Sequence, residues 1–278
     1  MKRRLTCQPP TPGAPNRLAS CFVALVLSLI GAGSARAVTV QTNGSAGVSN
    51  GVLRLTAASS YQSGSAWSTE KLPVAGGFTT TFHFRISGQG GVTDSTGKVG
   101  GDGLAFVIQN SSPAALGKAG GGMGYGGIPD SLAIEFDTYL NEYDFYVPDQ
   151  SDNEVSVHSQ GTYANSADEV ASLGSTTPPI NFSDGQDHTV NVTYVPGTLA
   201  VTLDGLPTAI LTLNIDLEQL LALDAGRAYM GFTAATGAAY ENHDITFWDG
   251  GIVSSDGGAS VSPCLLYTSD AADDLTRV

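Results

Sequence analysis

The chain has 278 residues, of which 26 are acidic and 12 are basic, so its formal net charge is −14. Such an acidic surface repels nucleic acids and anionic membranes, which we therefore exclude as partners, but it attracts divalent cations. Between residues 38 and 263 there are 23 acidic and six basic residues, for a net charge of −17. A segment of this length can bury one hydrophobic core without disulfide bonds.

Both ends of the chain differ in composition from the middle. Basic residues, an apolar run at 22–30 and a small-x-small motif at 35–37 are typical of a secretory signal peptide over residues 1–37. We therefore expect an exported protein that is secreted or held at the cell surface. Residues 251–263 are rich in Gly, Ser and Asp, which predicts a linker, and residues 264–278 resemble a translated sequencing adapter and are set aside.

The cysteines all fall in these terminal segments, at Cys7, Cys21 and Cys264. The segment 38–263 is therefore expected to fold without a disulfide. It also has no stretch long and apolar enough to cross a bilayer, so we expect no membrane insertion there.

Short runs with alternating apolar and polar residues fill the segment 38–250. The predicted strands cover 52–56, 78–86, 103–109, 131–137, 155–159, 188–195, 199–203, 209–213, 229–233 and 245–248. Many short strands in a glycine-rich chain predict an all-β fold, an antiparallel β-sandwich. The spacing of residues 216–223 predicts a helix of about two turns, and Trp67 and Trp248 lie in apolar runs that place them in the core.

The strand at 131–137 ends in two carboxylates, Glu135 and Asp137, which share one face because they are two residues apart. Unpaired carboxylates so close repel each other, and a bound cation removes that repulsion. Asn141 follows, with an acidic loop that contains three aspartates, Asp144, Asp149 and Asp152. Carboxylate, amide and carbonyl oxygens are the ligands that calcium prefers. The alternative is an ordinary strand with a solvated acidic loop.

Three segments, in order along the chain, resemble the legume-type (L-type) lectins. They are the strand and turn at 134–141, the run Gly-Asp-Gly-Leu-Ala-Phe-Val-Ile at 101–108, and residues 231–237 with 243–248. The resemblance implies a concanavalin-like jelly roll over residues 38–250. It also implies a non-catalytic, calcium-dependent domain whose partners are glycans or glycoconjugates, in a family whose members often form homodimers through their flat sheet.

The resemblance also implies a set of metal ligands. Glu135 and Asp137 would supply carboxylates, Tyr139 a backbone carbonyl, and Asn141 a side-chain oxygen. Asp149 matches the last aspartate of the family pattern, and Asp144 and Asp152 remain alternatives because the loop is longer than that pattern.

In the family, a second metal ion, manganese, lies beside calcium and is held by the equivalent of Glu135 and by a histidine. Glu154 occupies the histidine position here. Since imidazole favours manganese over harder cations, we expect the second ion to be weakly held or absent. His158 lies on the same strand face as Glu154 and could substitute, but we interpret it as an ordinary surface histidine.

The glycan site implied by the resemblance is assembled from four loops. Its residues are Asp102, Gly121, Tyr139, Asn141, Ala239 and Tyr240. Asp102 would accept hydrogen bonds from sugar hydroxyls, with the Gly101-Asp102 peptide in the cis form, and Gly121 would offer a backbone N–H. Tyr139 would stack on the sugar ring, Asn141 would donate its amide, and Ala239 and Tyr240, with Glu241, would contact the ligand at the rim.

Two other functions fit the same pattern less well. A sandwich-fold glycoside hydrolase needs a second catalytic glutamate one or two positions beyond the Glu-x-Asp strand, but residues 139 and 140 are Tyr and Leu. We assign no catalytic role to His83, His188 or His243. The other alternative is a surface adhesin or structural module that keeps calcium only for stability.

Overall fold

The computed structural model describes residues 38–49, 51–142 and 148–250. The predicted signal peptide, linker and adapter-like tail, together with Asp144, lie outside these described residues. Within them, no helix has the length and apolarity needed to cross a bilayer.

The described residues contain fifteen strands. In chain order they are β1 (Val40–Gly44), β2 (Gly47–Ser49), β3 (Val52–Thr56), β4 (Ser63–Ser68), β5 (Leu72–Pro73), β6 (Phe78–Gly90), β7 (Gly103–Gln109), β8 (Ser131–Asp137), β9 (Glu154–Ser159), β10 (Ser172–Thr176), β11 (Asp187–Val195), β12 (Thr198–Leu203), β13 (Leu211–Leu213), β14 (Arg227–Ala235) and β15 (Tyr240–Trp248). The helix predicted over residues 216–223 is shorter than expected. Helix α1 spans only Leu217–Leu220, with Asp216 as its N-cap, because Leu221 already has an extended backbone.

The strands form two antiparallel sheets, which confirms the predicted sandwich. The larger sheet has the order β1-β4-β14-β7-β8-β9-β10, with β5 paired to β14 at one end. The smaller sheet has the order β13-β12-β11-β6-β15-β3-β2. Every pairing within the two sheets is antiparallel.

A core rich in phenylalanine lies between the sheets. Phe82 of the smaller sheet stacks on Phe106 at 5.6 Å between ring centroids and meets the edge of Phe232 at 5.0 Å. Strand β6 buries alternate residues along its first nine positions, as the period of two predicts. Trp248 is buried in the same core.

A second apolar cluster covers the other face of the larger sheet. Met123, Tyr125 and Ile128, from the segment that joins β7 to β8, pack there with Trp67. The indole Nε1 of Trp67 donates a hydrogen bond to the carbonyl of Ala115 at 2.7 Å. Strands β7 and β8 are therefore buried on both faces, and the glycine-rich segment 120–127 is held over the sheet.

Strand register aligns four residues at one end of the larger sheet. Ala235 lies opposite Gly103, Gly103 opposite Asp137, and Asp137 opposite Glu154. Chain segments that leave β14, β7, β8 and β9 at this end therefore converge on one small region.

Candidate functional site

A cleft of about 520 Å³ opens at this end of the larger sheet. Its lining includes five residues predicted to bind glycan, which are Asp102, Gly121, Tyr139, Asn141 and Ala239. The sixth, Tyr240, is not among the lining residues, because its ring lies over Gly90, where a Cβ atom would be only 2.4 Å from Tyr240 Cε2. Glu241 is not a rim residue either. It is fully buried, and its carboxylate accepts hydrogen bonds from Thr138 and Ser183.

The backbone of Asp102 is held between two strand ends. Its N–H donates to the carbonyl of Ala235 at 3.1 Å, and its own carbonyl accepts from the N–H of Thr138 at 3.0 Å. The Gly101-Asp102 peptide is cis, as the resemblance implied. Tyr139 packs against Gly101 so closely that a Cβ at this glycine would lie 2.9 Å from Tyr139 Cβ. The aspartate and the tyrosine therefore face one cleft as a fixed pair.

The glycine-rich loop forms the opposite wall. Residues Gly120–Gly122 make a short 3-10 turn, and the N–H of Gly120 donates to the carbonyl of Thr236 at 3.0 Å. Gly237 follows directly, and a Cβ there would lie 3.2 Å from Oδ2 of Asp102. Because no side chain intervenes, backbone from both loops lies close to this carboxylate.

Below the cleft, two aspartates accept hydrogen bonds from the turn after β8. Oδ1 of Asp137 accepts from the N–H of Tyr139 at 2.7 Å, and Oδ2 of Asp149 accepts from the N–H of Asn141 at 2.7 Å. Asp152 instead lies near Thr96 and Lys98, with its Oδ2 3.3 Å and 3.9 Å from their side chains. Among the described residues, Asp149 is thus the loop aspartate that joins Asn141.

Burial and, to a smaller extent, mutual repulsion raise the pKa values of these carboxyls. Burial raises the pKa of Asp137 well above its usual range, and the charges of Asp149 and Glu135 raise it further. Burial likewise raises the pKa of Asp149 to about 8, against the lowering effect of its hydrogen bonds from Asn141, and the charge of Glu135 adds a smaller increase. A cation bound between the carboxylates would oppose both shifts, because it stabilises their charged forms.

The residues present fit a calcium ion. Asp137 and Asp149 can supply carboxylate oxygens, Asn141 an amide oxygen and Tyr139 its backbone carbonyl, all on one short stretch of chain. The amide nitrogen of Asn141 lies 3.3 Å from the carbonyl of Tyr139, and rotation of this amide by half a turn exchanges its oxygen and nitrogen.

Glu135 and His158 are more deeply placed than the sequence indicated. The interpretation of His158 as a surface histidine is wrong, since its side chain is 0% exposed. Its Nε2 lies 3.0 Å from Oε2 of Glu135, which also accepts from Ser156 Oγ at 2.6 Å. The segment after β9 lies against the ring, and its Ser166 carbonyl is 3.1 Å from Nδ1.

A family model described as the legume lectin beta-barrel domain matches residues 34–248. The chain belongs to the legume lectin family.

Solved structures of lectins share the fold. The exoplasmic/lumenal domain of VIP36, in its Ca²⁺- and mannose-bound form, aligns with a TM-score of 0.59 at 20% identity over 81% of this chain and 86% of that chain. Basic winged bean lectin with Tn-antigen gives 0.56 at 25% identity over 75% and 90%. The Bauhinia forficata lectin in complex with GalNAc gives 0.55 at 21% identity over 75% and 90%.

The structure also reveals residues that the lectin pattern did not single out. Tyr61 and Val92 line the lip of the cleft and are 74% and 48% exposed. Glu169 approaches His158 from a short turn after β9. No local spacing could have revealed these positions, because each reaches its site through tertiary packing.

Proposed function

We propose that this legume lectin domain binds glycans without catalysis and depends on calcium to do so. The observation that carries the proposal is the single cleft shared by Asp102, Tyr139 and Asn141, directly above the paired carboxylates of Asp137 and Asp149. Hydrogen-bonding groups and an aromatic ring around an open, shallow cleft suit a sugar, which presents hydroxyls at its edge and C–H groups on its face.

Each residue has a role that follows from its chemistry. The carboxylate of Asp102 accepts hydrogen bonds from two neighbouring hydroxyls, and bonds to a charged group are stronger than neutral ones. The amide of Asn141 donates to another hydroxyl, while backbone N–H groups of the glycine loop, with Gly121 foremost, reach the ligand unhindered. The ring of Tyr139 covers the apolar face of the sugar.

Calcium, when bound by Asp137, Asp149, Asn141 and the carbonyl of Tyr139, would fix the turn that carries Tyr139 and Asn141. The related structures support this proposal, since VIP36 was solved with Ca²⁺ and mannose and the two plant lectins with Tn-antigen or GalNAc. The binding site is thus expected to accept a hexose or an N-acetylhexosamine unit. The signal-like residues 1–37 support export to the compartment where glycans are displayed.

A glycan array with calcium and again with excess chelator tests the proposal. We expect binding to a defined set of glycans that chelator abolishes and added calcium restores. Single lectin sites bind with Kd values that can be near millimolar, about −4 kcal/mol, so the protein should be presented in multivalent form. If calcium raised the thermal stability while no glycan bound, the domain would be a calcium-stabilised structural module instead.

A further inference from the structure

Three metal-ligating side chains cluster on the larger sheet; Glu135 and His158 are buried, and none of the three lines the glycan cleft. Nε2 of His158 is 3.0 Å from Oε2 of Glu135 and 3.4 Å from Oε1 of Glu169. The three ligand atoms lie within 4.8 Å of one another. Neighbouring ligands of a tetrahedral zinc ion with bonds of about 2.0–2.1 Å are roughly 3.4 Å apart, so small movements of these side chains would suffice to hold a shared ion.

The two ring nitrogens of His158 have different surroundings. Nε2 lies 2.9 Å from Ser156 Oγ and faces the carboxylates, and a metal bound there would take the place of its proton. Nδ1 lies 3.1 Å from the carbonyl of Ser166, which can only accept, so Nδ1 carries a proton. In the neutral ring the lone pair is therefore on Nε2, which faces both carboxylates. This pattern, in which one nitrogen donates to a backbone carbonyl and the other faces the site, is the usual one for metal-bound histidine.

His188 shows what a structural histidine looks like in the same protein. It is also buried and also meets two carboxylates, but these lie on opposite nitrogens, with Asp204 2.8 Å from Nδ1 and Asp184 3.2 Å from Nε2. In His158 both carboxylates converge on one nitrogen. This convergence brings the three ligand atoms to one point.

The surroundings of the cluster are short of positive charge. Among the described residues, Glu135 and Glu169 form ion pairs with His158 and with no lysine or arginine. Glu154, which faces the same side of β9, is buried, and its Oε1 has no hydrogen-bond partner. A calcium ion at Asp137 and Asp149 would offset only those two carboxylates.

We propose that Glu135, His158 and Glu169 bind a divalent transition-metal ion at a site separate from the calcium site. An imidazole with two carboxylates selects ions such as zinc or manganese over calcium and magnesium. The family pattern places a histidine at position 154, so the metal here uses a different histidine, four residues further along β9, and a glutamate from outside the strands. The proposal does not depend on glycan binding.

The structure offers the ion a route from solvent. A second cleft of about 460 Å³ is lined by Glu169, Gln150, Ser172 and Ser175, so one ligand of the cluster is also part of a surface opening. Glu169 starts the short turn Glu169–Ala171, where Asp168 accepts a hydrogen bond from the N–H of Val170 at 3.0 Å. A metal at the cluster would join this turn to β9 and β8.

Metal analysis of the purified protein tests the proposal. The protein is stripped with chelator, saturated with calcium, and titrated with Zn²⁺, Mn²⁺ or Co²⁺, with metal content, thermal unfolding and the visible spectrum of Co²⁺ as readouts. We expect one equivalent of calcium and one of transition metal, with an unfolding midpoint raised by the second ion. Binding of calcium alone, with no response to the other ions, would mean that a proton on His158 holds the cluster together and would overturn the proposal.

Variants assign the second ion to its ligands. His158→Gln and Glu169→Gln should each weaken transition-metal binding by more than about 100-fold, because loss of even an outer-shell partner costs roughly 10- to 100-fold, and both should keep their equivalent of calcium. His188→Gln is the matched control and should keep both ions. Since Glu169 lies at a surface opening, its variant tests the proposal even if His158→Gln fails to fold. Retention of the second ion by a folded Glu169→Gln or His158→Gln protein would contradict the proposed ligand set.

Discussion

Asn141 and Asp149 hold each other through two hydrogen bonds. The N–H of Asn141 donates to Oδ2 of Asp149 at 2.7 Å, and the N–H of Asp149 donates back to the carbonyl of Asn141 at 3.3 Å. Asn141 lines the glycan cleft, whereas Asp149 belongs to the carboxylate cluster below it. This pair therefore couples the proposed metal site to the proposed sugar site.

The first prediction concerns this coupling. Asp149→Asn should weaken calcium binding by about tenfold or more and lower glycan binding with it, because a calcium ligand and the acceptor for Asn141 N–H are altered together. Asp152→Asn, in the same loop, should leave the calcium Kd nearly unchanged, since Asp152 is directed toward Thr96 and Lys98. Isothermal titration with calcium compares the two variants, and a larger loss in Asp152→Asn would transfer the ligand role to that residue.

The second prediction separates sugar recognition from metal binding. Asp102→Ala should abolish detectable glycan binding, because hydrogen bonds to a charged group contribute about 1.5–3 kcal/mol each, while calcium still raises the unfolding midpoint. Asp137→Ala should lose both properties. Asp224→Ala serves as the control, because Asp224 is an exposed aspartate that is not among the lining residues of the cleft. Glycan binding that survives in Asp102→Ala would refute the proposed site.

The third prediction concerns the exposed ring at the lip of the cleft. Tyr61→Ala should weaken binding of an oligosaccharide by about 1 kcal/mol, or roughly fivefold, if the ring covers ~40 Å² of a second sugar unit. Binding of a monosaccharide should be unaffected. Tyr163 is equally exposed, at 77%, and is not among the lining residues of the cleft, so Tyr163→Ala is the matched control. Equal effects of both variants on the oligosaccharide would exclude a specific role for Tyr61.

The fourth prediction is a pH dependence of stability in calcium-free protein. Asp149 has a pKa of about 8 in the folded state against 3.8 ordinarily, and Glu135 and Glu169 outweigh the effect of burial and raise the pKa of His158 to about 10 from 6.5. The folded state then binds more protons than the unfolded state across pH 4–10, so stability falls as pH rises. Without calcium, the unfolding midpoint should drop between pH 5 and 8.

Calcium should reduce this drop to the part that comes from His158, because the ion takes the place of the proton on the aspartates. Differential scanning calorimetry at several pH values, with calcium and with chelator, measures both curves. A midpoint that rises with pH in chelator would contradict the arrangement of buried carboxylates described above.

Sequence alternation predicts some strands well and others poorly. Strands β3, β7 and β8 begin and end where the alternating runs do, because their apolar residues face the core at every second position. Strand β4 reads Ser-Gly-Ser-Ala-Trp-Ser and has no such pattern. It is a strand because β1 and β14 supply its hydrogen-bonding partners on both sides, which is a tertiary cause.

Some residues of the candidate sites could be predicted from the sequence, and others could not. Asp102, Tyr139 and Asn141 come together as the resemblance to lectins implied, since strand ends fix them. The alternation places His158 on the face of Glu154, but its burial depends on the chain that crosses over β9 at Ser166. Glu169 lies outside any strand, so only the folded chain brings it to the cluster.

The alignment of Gly103, Asp137 and Glu154 across three strands has a consequence for folding. A slip of one residue between β8 and β9 would turn one strand's carboxylates toward the apolar interior and separate the cluster. Cation binding therefore requires the same pairing that closes the sandwich. Calcium would bind only chains with the correct strand register. It would therefore increase the stability of the correct register relative to any misregistered form.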